Sequence, residues 1–497
     1  MGDRLADKLA HVDPLWAAES GLPIDRLPSL TPGWWHERRT VFADAASALR
    51  VLAQTRDRDV LLERVESEIQ WIDSGEATCE LQAAMDGTLF RLRFVLDNLP
   101  TDTDEQRERR RAVEASLPAA LRGFRQTLAA ANAKHPLPTR RQVLSTIEAL
   151  DEWVAAGVPA AASFASMANY LRDDYVHRAA ESDRVGPERF AVWARRYTGA
   201  APQPSDYDRA ATELASTFAT LEATRGALAD APASLVLTSQ AEHLAWAEDQ
   251  VNRAAAACLD ADVLTAREWP TVSVRALEGG SQKAYYWPRA IDGSAEATVW
   301  IAGGDGPHSV EYEKTVLFHE SIPGHHVEAT LQSEATGVSR YQRMMNLPAH
   351  SEGWGLYAES LADDAGLLDT PQAKAGHLGS RALRLASLLI DVGFHTGMHV
   401  PVALSDERGV AWSVDAAQRL LERVGLEPAV AAWWFTNMIG RPAYRAAYVV
   451  GEFAWIDLVE SRGTLPRARL LEYALASGPM GLQEFRHLIG AFTTPTG

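Results

Sequence analysis

The sequence predicts a mostly α protein, a large helical bundle-like fold with a small β-sheet, and two observations carry this prediction. Over residues 37–134 apolar side chains recur at helical spacing, and proline is confined to short turns. Residues 271–277 and 297–304 instead alternate in polarity and are rich in β-branched side chains, which is typical of strands. We therefore expect a sheet of two to four strands inside an otherwise helical chain.

The remaining elements follow from the same two periods. Residues 1–35 contain short helical pieces separated by prolines, which predicts an arm laid over the body of the protein. Helical spacing continues to about residue 262, and this suggests an N-terminal helical region, 1–262, and a second region, 263–497, or one continuous domain. Further helices are expected at 311–337, 351–366, 372–393, 414–424 and 428–439.

Composition excludes several classes of function. The chain of 497 residues has 48 basic and 66 acidic residues, and the resulting formal charge of −18 opposes binding to nucleic acid or to an anionic membrane surface. Its two cysteines, Cys79 and Cys258, are too few for a disulfide framework. The first residues carry charges and no apolar stretch typical of a signal peptide, so we expect a cytoplasmic protein.

The chemistry is concentrated in residues 312–332, YEKTVLFHESIPGHHVEATLQ. In the H-E-x-x-H helix of zinc hydrolases, two histidines one turn apart bind the metal and the intervening Glu activates water. Here His325 lies six residues after His319, and His326 lies seven residues after it. On a regular helix these separations correspond to roughly 9 to 10 Å of rise. An undistorted helix cannot bring such a pair to one metal ion.

The sequence supplies a helix break at Pro323 and Gly324. Proline removes a helical N–H, and glycine is a weak helix former. If two residues loop out, His325 takes the place of the second ligand, and we favour this alternative. Helical rotation favours His326, because seven steps of about 100° return it under His319. A third ligand is expected from the next helix, within residues 350–359, HSEGWGLYAE.

These motifs, H-E-x-x-P-G-H-H followed by E-G-W-x-L-Y-x-E, resemble the DUF885 family, which is similar to zinc peptidases of the gluzincin (thermolysin-like) clan. The resemblance implies a metallopeptidase fold and one zinc ion. It implies His319, His325 and Glu352 as ligands and Glu320 as the general base. Residues 384–395 and 442–451 resemble two further family segments, although Ala443, Tyr444 and Val449 depart from the family pattern and Glu328 stands where Gln is common.

Other polar residues are candidates with a functional and a structural interpretation each. His326 is a candidate to stabilise an oxyanion, or is a structural residue. Asp391 and His395, one helical turn apart, either orient ligands and substrate or satisfy each other. The remaining candidates also have either a functional or a structural role. Glu359 lies one heptad beyond Glu352 and is suited to hydrogen-bond a ligand histidine. Tyr448 is a candidate oxyanion donor, and Arg441 and Tyr444 are candidate substrate contacts.

The expected reaction is hydrolysis of an amide bond in a short peptide, with zinc as cofactor. A metal-dependent amidase or esterase for a small non-peptide molecule is an alternative, and a catalytically silent binding protein is another. The strand just before residue 312 suits a peptidase, because a free strand edge can hold an extended peptide by main-chain hydrogen bonds. The sequence leaves the oligomeric state open.

Overall fold

The computed structural model describes residues 1–81, 87–131, 136–200, 203–277, 284–289, 296–405 and 409–493. The mostly α prediction is confirmed, because helices account for most of the described chain and the strands are short. The helices before the sheet are α1 (Gly2–Val12), α2 (Pro14–Glu19), α3 (Pro32–Arg50), α4 (Arg56–Asp73), α5 (Thr88–Asn98), α6 (Asp104–Ala130), α7 (Arg140–Ala155), α8 (Ala161–Asp173), α9 (Pro187–Thr198), α10 (Pro204–Asp230) and α11 (Gln240–Asp260).

Five short strands and a second series of helices complete the described chain. The strands are β1 (Val236–Leu237), β2 (Ser273–Leu277), β3 (Ala284–Trp287), β4 (Thr298–Ala302) and β5 (His308–Ser309). The later helices are α12 (Val310–Glu320), α13 (His325–Glu334), α14 (Arg340–Arg343), α15 (Pro348–Asp364), α16 (Pro371–Thr396), α17 (Val414–Arg423), α18 (Pro428–Ile439), α19 (Tyr444–Glu460), α20 (Arg467–Ala476) and α21 (Leu482–Thr493).

Helix starts follow local capping chemistry. The side chain of Asp13 accepts a hydrogen bond from the backbone N–H of Trp16 at the start of α2, and Pro14 occupies the first turn, where its missing N–H costs nothing. Thr31 caps α3 in the same way, again with a proline following it. Two of the four prolines of the N-terminal segment, Pro14 and Pro32, thus begin helices.

The chain forms two compact units, neither of which is a single run of sequence. Residues 1–196, 394–397 and 427–443 form unit 1, and residues 197–393, 398–426 and 444–497 form unit 2. Unit 1 has a large apolar core between α2 and α8, which includes Leu92, Phe124 and Leu171. The sequence-based boundary at residue 262 stays a prediction.

Unit 2 contains the sheet. Strand β4 lies in its centre, parallel to β2 on one side and antiparallel to β3 on the other. Its buried side chains Val299 and Ile301 pack with Val251 of α11 and Leu317 of α12, because alternate residues of a strand face the same side. The sheet therefore supports the helix that carries the H-E pair.

One expectation about the sheet was wrong. The strand predicted at 297–304 was expected to offer a free edge, but β4 is paired on both sides. Among the described strands, β3 is the edge strand close to α12, and the sequence analysis did not identify it. Strands β1 and β5 form a separate antiparallel pair. In the described part of the chain, no helix is long and apolar enough to cross a membrane.

Candidate metal centre

The predicted single helix at 311–337 is interrupted between α12 and α13. Helix α12 ends at Glu320, Ser321 leaves the helical conformation, and α13 begins at His325. The Ile322–Pro323 peptide bond is cis. The backbone N–H of Gly324 donates to the carbonyl of Phe318 at 3.1 Å, so the looped residues fold back onto the end of α12. The break therefore lies where the proline and glycine predicted it.

Gly324 is required by this close approach. A Cβ at this position would lie 1.8 Å from the carbonyl oxygen of His319, which no side chain could accommodate. The carbonyl of Gly324 in turn accepts a hydrogen bond from Nε1 of Trp354 on α15, at 3.1 Å. This contact fixes the break against the helix that carries Glu352.

His319, His325 and Glu352 converge on one point of unit 2. The Nε2 atom of His319 lies 3.4 Å from Oε2 of Glu352, and Nε2 of His325 lies 3.8 Å from the same oxygen. One ligand atom from each residue falls within 4.8 Å of the others. Two imidazoles and a carboxylate are a usual donor set for catalytic zinc, which keeps a further position for water. The residues present fit a zinc ion.

Each imidazole of the cluster has a carboxylate on its other nitrogen. Nδ1 of His319 lies 2.9 Å from Oε1 of Glu359, whose second oxygen accepts from the hydroxyl of Thr315 at 2.8 Å. Nδ1 of His325 lies 3.1 Å from Oε2 of Glu328. Such carboxylate–histidine pairs fix the ring and its tautomer so that Nε2 is presented to a metal.

The charges of the cluster are mutually dependent. Burial favours the neutral form of Glu352, but hydrogen bonds from both histidines hold its pKa well below the ordinary value. Burial likewise opposes the charge of His319, while hydrogen bonds to Glu352 and Glu359 raise its pKa to about 9. The pKa of His325 is also raised, despite burial, by Glu328 and Glu352. Because ligand histidines must be neutral, binding of a cation here would release protons.

Glu320 lies next to His319 at the end of α12. Burial raises the pKa of its carboxyl group, and the neighbouring histidines oppose that rise. The backbone of Tyr286 in β3 also lowers the pKa of this carboxyl group. Tyr286 therefore lies close to the predicted general base.

Helix α15 approaches the cluster through glycines. A Cβ at Gly355 would lie 2.4 Å from Cε1 and 2.5 Å from Nε2 of His319. A Cβ at Gly353 would lie 2.5 Å from the backbone carbonyl carbon of Gly451 in α19. The two helices thus meet at backbone distance, and α15 leaves room for the ring of His319.

Tyr448, Tyr444 and Asp391 also belong to unit 2. The hydroxyls of Tyr444 and Tyr448 are 3.4 Å apart, and burial and the charge of Glu352 raise the pKa of Tyr448. Asp391 is fully buried and accepts from the backbone N–H of Ala446, in the first turn of α19, at 3.2 Å. Asp391 therefore fixes the start of the helix that carries both tyrosines.

His326 faces away from the cluster. Its Nε2–H donates to the carbonyl of Pro270 at 2.8 Å, and its Nδ1 lies 3.3 Å from the hydroxyl of Tyr286. Burial lowers its pKa, which is consistent with a neutral ring. Of the two neighbouring histidines, the geometry brings His325 to Glu352 and gives His326 contacts with the sheet region.

His395 and Arg441 lie in unit 1. Nδ1 of His395 accepts from the backbone N–H of Val185 at 3.3 Å, and its ring stacks on Phe190. Burial and nearby arginines lower its pKa to about 3. Arg441 is buried, with Nε 3.8 Å from a carboxylate oxygen of Glu80. Their expected substrate or ligand contacts stay predictions.

The sequence analysis missed three residues of the cluster's surroundings. Glu328 was seen only as a departure from a family pattern, although its position three residues after His325 places it on the same helix face. Gly355 had no signal beyond its place in the E-G-W-G motif. Tyr286 lies in β3, which has too few residues to show an alternating pattern.

Comparison with known proteins identifies the family. The chain matches the family described as "Bacterial protein of unknown function (DUF885)" over residues 14–164 and 158–487, and it belongs to that family. No curated protein matches it.

Two solved structures share the fold. One is described as "the putative lipoprotein from Colwellia psychrerythraea"; it is 16% identical, has a TM-score of 0.81, and the match covers 99% of each chain. The other, "a putative lipoprotein of unknown function from Shewanella oneidensis", is 14% identical with a TM-score of 0.71, and the match covers 98% of each chain.

Proposed function

We propose that this member of the DUF885 family is a zinc-dependent hydrolase, a metallopeptidase acting on short peptides. The observation that carries the proposal is the meeting of His319 and His325 at a single oxygen of Glu352, with a carboxylate behind each imidazole. Membership of the DUF885 family does not establish similarity to gluzincin peptidases or a cytoplasmic location. Both are therefore part of this proposal.

The roles of the residues follow from their positions. Bound zinc supplies a Lewis acid that polarises the scissile carbonyl and lowers the pKa of water toward neutrality. Glu320 accepts the proton of the attacking water and passes it to the leaving amine. Its raised pKa suits both transfers, because a general base works best when its pKa is close to the working pH.

Tyr448 is the best-placed candidate to stabilise the oxyanion. Its pKa is raised, so the phenol keeps its proton and can donate a hydrogen bond to developing negative charge. It interacts electrostatically with Glu352, so it lies near the cluster. His326 is less suited to this role, since both of its ring nitrogens already have protein contacts.

Strand β3 supports a peptide as the substrate. Tyr286 of this strand affects the pKa of Glu320, and β3 is an edge strand among the described strands of the sheet. An extended peptide could add to this edge by main-chain hydrogen bonds, as peptides do in other edge-strand complexes. That arrangement would bring a scissile bond close to the base and would accept varied side chains.

Replacement of the general base tests the proposal. Glu320→Gln should keep zinc but lose about 10² to 10⁴ of the rate of peptide hydrolysis, because the amide matches the carboxylate in size and cannot accept a proton. The assay is cleavage of a short-peptide library with zinc-loaded protein, followed by mass spectrometry. Glu334→Gln is the matched control, because Glu334 is an exposed residue that pairs with Arg267.

Each outcome distinguishes the proposal from its alternatives. Normal hydrolysis by Glu320→Gln would remove Glu320 from the mechanism. Cleavage of small esters or amides but of no peptide would favour the amidase or esterase alternative. Failure of the wild-type protein to bind zinc would favour the silent binding protein.

A further inference from the structure

A second group of possible ligands lies on another part of α12, and it is independent of the proposed hydrolase site. It consists of His243 of α11, His308 of β5 and Glu313 of α12, with one ligand atom of each within 4.8 Å of the others. Nε2 of His243 lies 3.0 Å from Oε2 of Glu313, and the two imidazole rings stack with centroids 4.0 Å apart.

The segment that carries His308 is fixed by its own contacts. Leu237 of β1 pairs with His308 in the antiparallel register of the two short strands. The backbone N–H of Gly304 donates to the side-chain carbonyl of Gln240, and the N–H of Gln240 donates to the carboxylate of Asp305. The loop before His308 is therefore held to the start of α11, one turn before His243.

Each imidazole has one nitrogen engaged by an oxygen acceptor. His308 directs Nε2 to the carbonyl of Gly304 at 3.0 Å, which makes Nδ1 its available nitrogen. His243 presents Nε2 to the carboxylate of Glu313 at 3.0 Å, a separation that two ligand atoms of one metal ion can have. His308 shows the pattern of ligand histidines, in which one nitrogen donates to a carbonyl or carboxylate and the other binds the metal.

One atom of this group lacks a partner. His243 is 1% exposed, and its Nδ1 has no hydrogen-bond partner among the described residues. A buried imidazole nitrogen without a partner is costly, because it has lost its hydrogen bond to water. When a metal binds at Nε2 beside Glu313, Nδ1 carries the proton of the neutral ring.

We propose that His243, His308 and Glu313 form a second binding site for a divalent transition metal of the zinc class. The donor set is two imidazoles and one carboxylate, and the partial exposure of Glu313 leaves room for water as a further ligand. The ion would join α11 and β5 to α12, six residues before His319. It would thus hold in place the helix that carries His319 and Glu320.

The experiment counts zinc ions in the full chain with each site removed in turn. Chelator-stripped protein is titrated with zinc against a competing dye. We expect two zinc ions for the wild type, one for His308→Ala, one for Glu352→Gln and none for the double variant. His487→Ala is the control, because His487 also contacts a glutamate three residues away but is exposed and has no third ligand residue in the described groups.

A second measurement avoids dependence on the hydrolase site. In the Glu352→Gln background, zinc should raise the melting temperature, and His308→Ala should abolish that rise without unfolding the protein at 25 °C. If the wild type binds one ion that Glu352→Gln loses and His308→Ala retains, the second site is overturned. If the one ion shows the reverse behaviour, the second site stands and the hydrolase site fails.

Discussion

At the residue scale, the neighbouring histidines 325 and 326 show how one position along a helix changes a role. His325 faces Glu352 and is backed by Glu328, whereas His326 contacts Pro270 and Tyr286. The difference arises because the helix restarts at His325 after the looped residues. Their identical chemistry makes them a matched pair for mutation.

His325→Ala should weaken zinc binding by orders of magnitude, because it removes one of the three proposed protein ligands. His326→Ala should change it by no more than about 10-fold, since His326 supports the site only through the sheet region. Competitive zinc titration of both variants measures the difference, with circular dichroism to show that each is folded. Zinc lost by His326→Ala and kept by His325→Ala would reverse the assignment.

Ala443 has a backbone conformation that is energetically unfavourable for a residue with a side chain. It adopts a φ of +67°, in the left-handed region that glycine enters more easily, just before α19 begins. The departure in sequence therefore falls on a position where the backbone itself favours glycine.

At the scale of elements, the cluster depends on how closely helices approach one another. Gly324 allows the looped residues to lie on the carbonyl of His319, and Gly355 allows α15 to lie against its ring. Gly353 and Gly451 bring the backbones of α15 and α19 together. These glycines, of which the sequence analysis singled out only Gly324, thus set the distances within the candidate site.

Gly355→Ala should displace the ring of His319, because the new methyl group would lie about 2.4 Å from it. We expect zinc affinity to fall by at least about 10-fold, the lower end of effects from disturbed ligand support. Gly379→Ala is the control: this glycine lies within α16, and a Cβ there would meet nothing within 4 Å.

The control should bind zinc normally and gain about 0.5–1 kcal/mol in the free energy of unfolding, because alanine is the better helix former. Zinc titration and urea unfolding of both variants check these expectations. Unchanged zinc affinity in Gly355→Ala would show that the ring of His319 is not held at this position.

At the scale of the whole molecule, the sequence predicted what depends on local pattern. Helical periodicity predicted the fold class, and Pro323 with Gly324 predicted the break in the metal-site helix. The H-E pair, the histidine pair after the break and the E-G-W motif contain the three residues that the structure brings together. Each of these signals is contained within a short stretch of chain.

Features that depend on distant segments could not be predicted in this way. The pairing of β4 between β2 and β3 follows from the whole sheet, so the free edge was assigned to the wrong strand. The two units each combine separate stretches of sequence, which no local composition change marks. The His243, His308 and Glu313 group likewise joins residues about 70 positions apart, a separation that spacing rules for metal motifs do not cover.

The central claim is that His319, His325 and Glu352 bind zinc. The most direct measurement is an anomalous difference map, recorded at the zinc absorption edge, from crystals of the zinc-loaded protein. The account predicts a peak about 2.0–2.1 Å from Nε2 of His319 and of His325 and at similar distance from a Glu352 oxygen. A map with no peak between these three side chains, or with a peak bound by His326 instead of His325, would contradict it.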